Sequence, residues 1–324
     1  MVNVAYKEKN AMNRDKQNRI CNLDVLKAIS AFLIIHIHYP SCILSEYVDS
    51  VARVAVPLFA MISGYFYRKN QSVIKPILKI SLILVVAEIV NGFACGFDFY
   101  ISQLRANGIK NAILCHFAGW TPGWFLLALI YAYIFIWLID KIGIRKICYY
   151  VLVPVLLIFL WIGQRLCSIY FFSDIYYYTF CIRIIPFFII GNYINEHEDA
   201  LKSIPSKVWA VVASFGVVLT VSERWLMTSI LGHPELFFLY LGTFVAIIAA
   251  FGLALGCDEW NFPLLKFIGK NLSMYIYVVH MAIICVCRNH GYVFDSLWIC
   301  LGSFIVSLIF YFIFYYAKHI VVNH

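Results

Sequence analysis

Apolar stretches of about 20 residues, the length that crosses the hydrocarbon core of a bilayer, recur from Leu23 almost to the end of the chain. A chain built this way has little choice but to thread lipid many times. Inside lipid every backbone N–H and C=O must be satisfied within its own segment, so each stretch reads as a helix. About ten candidates follow from the 20-residue rule, near 24–41, 51–67, 76–96, 123–140, 147–163, 177–194, 207–223, 237–256, 264–286 and 294–316. The expected fold is an all-α integral membrane protein, a bundle of about ten transmembrane helices. The segment 99–122 is more polar and reads as an external loop with room for an interfacial or re-entrant piece.

Composition narrows the class further. The chain is 63% apolar and only 13% charged, whereas about a quarter of a soluble domain is charged. No stretch remains for a separate water-soluble domain. The net charge of +8 is not a nucleic-acid stripe, because its cations gather in alternate loops. Lys7, Lys9, Arg14, Lys16 and Arg19 precede the first helix, and Arg68, Lys69, Lys75 and Lys79 fall two crossings later. Lys141, Arg145 and Lys146, then Lys202 and Lys207, and finally Lys318 keep the alternation. This is the positive-inside pattern, and it puts both termini in the cytoplasm. The organisation reads as a basic cytoplasmic tail over 1–22, one transmembrane domain over 23–318, and a short cytoplasmic tail over 319–324. The first apolar run lacks a clear small-residue cleavage site and reads as a signal anchor. Eleven cysteines are scattered singly, mostly within apolar runs, and read as small, buried, reduced thiols. Cys285 and Cys287 form a C-x-C without a second pair or nearby histidines, so no metal site is expected.

The sharpest chemical signal lies in the first helix. Lys27 and His38 are separated by eleven positions in otherwise apolar sequence. That spacing turns the helix only about 20° past three full turns, so both side chains leave one face, about 16 Å apart along the axis. Ionisable groups in a span are costly unless they face a cavity or a partner. Lys27 could simply snorkel, or pair with Asp24 one turn away. Together with His38 on the same face, it suggests a lined passage. His36 points about 160° away from His38 and reads as a packing histidine.

The stretch LDVLKAISAFLIIHIH from Leu23 resembles the opening of the acyltransferase family 3 membrane proteins, which carry a basic residue, ten intervening positions and a histidine. Lysine stands where arginine is commoner. RVAVPLFAMISGYFYRK from Arg53, GWTPGWFLLALIYAY from Gly119, RIIPFFIIGNYI from Arg183 and FIGKNLSMYIYVVH from Phe267 are similar, in order, to further family segments. The resemblance implies a membrane O-acyltransferase with acyl-coenzyme A, most often acetyl-coenzyme A, as co-substrate and no bound cofactor. It implies a polysaccharide, peptidoglycan or lipid-linked sugar as acceptor, in a multi-pass bacterial cell-membrane protein surrounded by lipid.

Carried onto this chain, the resemblance and the spacing give His38 and Lys27 as catalytic candidates. Lys27, Arg53, Ser63, Trp124, Arg183, Tyr277 and His280 are the candidate substrate-binding and acyl-donor-binding residues. Histidine titrates near neutral pH and suits a base for the acceptor hydroxyl, or a transient acyl carrier. Arginines suit a developing oxyanion. Two other readings use the same features: a small-solute permease along the polar stripe, and a non-catalytic partner of a glycan assembly complex.

Overall fold

The structure, a computed structural model, describes residues 20–39, 45–69, 72–97, 101, 105, 122–170, 180–232, 237–292 and 295–322. Residues 1–19 of the basic tail, Trp120 and nearly all of the 99–122 loop lie outside them. The principal helices are α1 Cys21–His38, α2 Ser45–Ala52, α3 Ala55–Tyr65, α4 Ile74–Cys95, α5 Trp124–Ile142, α6 Val153–Tyr170, α7 Phe180–Glu196, α8 Ser206–Leu231, α9 Leu241–Gly256, α10 Ser273–Asn289 and α11 Ser296–Val322. No strand occurs among the described residues.

Eight segments are long and apolar enough to cross a membrane. Two of the about ten expected spans, near 177–194 and 237–256, are instead the shorter helices α7, with 17 residues, and α9, with 16. Boundaries differ from expectation by several residues, and the span expected over 207–223 runs on to Leu231 as α8. The second span begins earlier, at Tyr47, and breaks into α2 and α3 at a turn over Arg53 and Val54. Pro57 explains the break, since its ring collides with the carbonyl four residues back and it has no N–H to donate.

Burial separates core from periphery. In α1, 61% of the residues are buried, whereas the share falls to 17% in the apolar stretch of α11. Lipid, not protein, covers the exposed apolar side chains of α11, such as Leu297 and Ile313. Without a hydrophobic driving force between helices in lipid, close backbone packing has to hold them together. Helices α3 and α7 meet through reciprocal glycines: a Cβ on Gly64 would strike the Phe188 carbonyl, and one on Gly191 would strike the Met61 carbonyl.

A π-helical turn, Ile268–Leu272, leads into α10. Its Gly269 lies directly against the Asp24 backbone of α1, where any Cβ would collide, and Ser273 donates to the Gly269 carbonyl at 2.8 Å. The start of α1 is fixed by Asn22, whose amide donates to the carbonyls of Ala254, Cys257 and Asp258 and accepts from Trp260 N–H at 2.8 Å. Those of Ala254 and Cys257 are among the carbonyls that the end of α9 leaves without helical partners. Helices α1 and α10 are thereby set side by side.

The expectation that the cysteines are all reduced thiols is corrected. Cys95, at the end of α4, and Cys285, on α10, form a disulfide across 190 residues of sequence. Asn289 adds a 3.4 Å hydrogen bond to the Ala94 carbonyl beside it. Among the described residues, Cys21, Cys148, Cys257, Cys287 and Cys300 are free, and only Cys148 and Cys287 of these are buried as expected.

Candidate functional site

The packing of α1 against α10 brings His38 and His280 together, with ring centroids 5.4 Å apart and planes tilted by 38°. His38 closes the last turn of α1, where its carbonyl accepts a 3.1 Å hydrogen bond from Arg288 Nη2. The cations of Arg53 and Arg288 both act on His38 through space.

His280 is 1% exposed. Its Nδ1 lies 2.6 Å from the Tyr277 carbonyl and 3.2 Å from the Ile276 carbonyl. A carbonyl only accepts, so Nδ1 carries the proton and the neutral ring presents a bare lone pair at Nε2. That Nε2 is buried and meets no hydrogen-bond partner among the described residues. Tyr277 is tied down in turn, with its hydroxyl donating to the Pro122 carbonyl at 3.3 Å and its ring against Phe125 at 5.6 Å.

Glu88 completes this line, and sequence reasoning missed it. Its Oε1 accepts from Gly123 N–H at 3.1 Å, so α4 caps the start of α5 with a carboxylate. Its charge also reaches Tyr277. A signal was available, because a carboxylate inside an apolar span is a functional candidate by default.

The other candidates divide between the two ends of the bundle. Lys27 pairs with Asp24 at 3.2 Å and lies 5.5 Å over the Phe66 ring, about three helical turns before His38 on α1. At the same end, a cavity of about 200 Å³ is lined by residues including Asn22, Lys202, Cys257 and Glu259. Between the two ends, Tyr277, Phe125 and Phe59 form a column of aromatic rings.

Arg53 binds Asp49 at 2.9 Å, and Asp49 is 1% exposed. Arg183 lies over the Phe238 ring at 5.0 Å. Trp124 meets Phe125 edge to face at 6.1 Å, at the turn that Glu88 and Tyr277 hold. Ser63 donates its hydroxyl to the Phe59 carbonyl at 2.9 Å, one residue before the glycine that touches α7.

Sequence reasoning also missed a buried charged cluster at the His38 end. Arg165 pairs with Glu223 and lies over the rings of Trp161 and Phe237. Glu223 accepts from Trp161 Nε1 at 2.7 Å and from Leu241 N–H at 2.6 Å. Fully buried Tyr240 sits among the charges of Arg224, Arg53 and Asp49. Among the described residues, no group of three or more His, Cys, Asp or Glu side chains could hold a metal ion.

With a paired histidine site, flanking arginines and a lysine on the same helix, the arrangement suits acyl transfer. A family model described as an acyltransferase domain, that of acyltransferase family 3, matches residues 21–316. The chain belongs to this family. It is therefore an acyltransferase-family protein of the membrane, built from multiple apolar helices. No curated protein and no solved structure matches it. The family match spans every residue of the site, from Lys27 and His38 to His280 and Arg288.

Proposed function

We propose that this acyltransferase moves an acyl group, acetyl in the simplest case, from acyl-coenzyme A to a hydroxyl of a cell-surface or lipid-linked glycan. The apposition of His38 and His280 carries this reading. Acyl transfer from a thioester needs a base for the acceptor hydroxyl and cations or donors for the developing oxyanion. His38 serves as base or transient acyl carrier, with Arg53 and Arg288 acting on it.

The donor docks from the cytoplasm at the Lys27 end, and its extended arm reaches the about 16 Å up the face of α1 to His38. Two observations support this orientation. The lysines of the described helices lie at the Lys27 end, as the positive-inside rule requires of a cytoplasmic face. The Cys95–Cys285 disulfide lies at the His38 end, and disulfides persist in oxidising compartments. Both termini are then cytoplasmic, in the cell membrane of a bacterium. A membrane-impermeant donor thereby serves an acceptor on the far side.

The test compares surface-glycan acyl content in cells carrying wild-type protein, His38→Ala and Lys27→Ala at matched membrane levels. Loss of acyl esters in the histidine variant is the expected result. Full acylation in both variants would sink the reading and bring the permease or scaffold forward.

A further inference from the structure

We infer that His280 receives the proton that His38 releases, so that the two rings work as a relay ending at His280 Nε2. This rests on the acyl-transfer reading and assigns a second histidine within it.

Four observations converge on it. The Tyr277 and Ile276 carbonyls hold the proton on Nδ1, which leaves Nε2 as an acceptor in the neutral ring. That nitrogen is buried without a partner, a costly arrangement unless something is to occupy it. Nδ1 is turned toward its own helix, so Nε2 projects away from it, on the side of the ring available to another helix. The ring from another helix that His280 meets is His38, at 5.4 Å between centroids. Two imidazoles joined by an N–H···N bond have centroids about 5 Å apart, so a small rotation closes the bond.

A proton taken up at His280 Nε2 would leave the Nδ1 N–H still donating to two carbonyl oxygens. The reaction balances as follows. The acceptor oxygen bonds to the thioester carbonyl carbon while its proton passes to one nitrogen of His38. The proton on the other nitrogen of His38 moves to His280 Nε2. On collapse of the tetrahedral adduct the C–S bond breaks, and the proton returns through His38 to the leaving thiolate. The products are the ester and the free thiol.

The bland alternative is a core histidine whose bond to its own helix is its whole purpose. His280→Asn separates the two, because the amide can still donate to the Tyr277 carbonyl but has no basic nitrogen. Membrane vesicles holding the protein and its native acceptor, supplied with acetyl-coenzyme A, give kcat and KM from release of free coenzyme A. The relay predicts that kcat falls about 100-fold, with KM within threefold and an unchanged melting temperature. A kcat per folded molecule within threefold of wild type overturns the relay.

A second measurement needs no variant. The wild-type rate in mixtures of H₂O and D₂O should bow below a straight line, since two protons move together, and a straight line overturns the proposal. A wild-type protein that releases no coenzyme A removes the acyl-transfer reading, and the relay with it. Wild-type turnover with an unaffected His280→Asn removes the relay alone.

Discussion

The two ends of the bundle carry their positive charge in different ways. At the Lys27 end it is carried mostly by lysines, with Arg68 at the surface and Arg145 drawn in against Asp140 and Glu196. Lys202 and Lys266 bind Glu198 and Glu259 on the surface. At the His38 end it belongs to arginines drawn into the protein. Arg53 is held by an Asp49 that is 1% exposed, and Arg165 by Glu223 between two aromatic rings. Arg183 lies over Phe238 and Arg288 over Tyr39.

The difference follows from the two side chains. An ammonium is strongly hydrated and stays near water on its flexible stem. A guanidinium is more weakly hydrated, stacks on rings and fits a carboxylate with a planar fork. The Lys27 end thus keeps most of its positive charge near water. The His38 end is built to hold charge in fixed places around the histidines.

Several experiments can break or sharpen this contrast. The largest effect belongs to Arg53→Ala, which leaves the buried Asp49 carboxylate without its cation. A loss of about 3 kcal/mol or more follows from the cost of an unpaired buried charge, read as loss of folded protein in thermal melts. If Arg53→Ala melts like wild type, the His38 end is not the rigid one.

Gly269→Val comes next, because its side chain would have to displace the backbone of Asp24. The α1–α10 contact should open, lowering both stability and acyl transfer, and retention of both would show that the contact is dispensable. Removing the disulfide by Cys95→Ser should cost about 2–4 kcal/mol. The diagnostic sign is that a reducing agent lowers the melting temperature of wild type and leaves the variant unmoved.

The smallest effects belong to the Lys27 end. Lys266→Ala loses an exposed ion pair to Glu259, which water screens. Its melting temperature should stay near wild type, and a large drop would erase the contrast between ends. Acidification gives a related sign. Burial works against ionisation of Glu198, and Lys202 and the Tyr65 hydroxyl outweigh it, so its carboxyl is held below the ordinary value. Its stabilising contribution is present above that ordinary value and is lost as pH falls through the lowered one. Comparing wild-type and Glu198→Gln melting temperatures down a pH series checks this, with the gap expected to narrow toward acid.

Much of this was legible in the residues. Length and hydropathy determined the membrane class and the helical segments, because lipid leaves the backbone no other way to satisfy its polar groups. The spacing of Lys27 and His38 placed them on one face, since helical periodicity is a local property.

The tertiary structure decided the rest. The pairing of His38 with His280 depends on Gly269 letting two backbones touch, and no spacing within either helix records it. Cys95 and Cys285 look like any scattered thiols until packing sets their helices side by side. Arg165 with Glu223 and Glu88 with Gly123 are pairs of the same kind, each made by residues of two separate segments. The break at Arg53 was the exception, readable after the fact from Pro57. Hydropathy and periodicity are written along one segment at a time, whereas a site in a helical bundle is made where segments distant in sequence share a boundary.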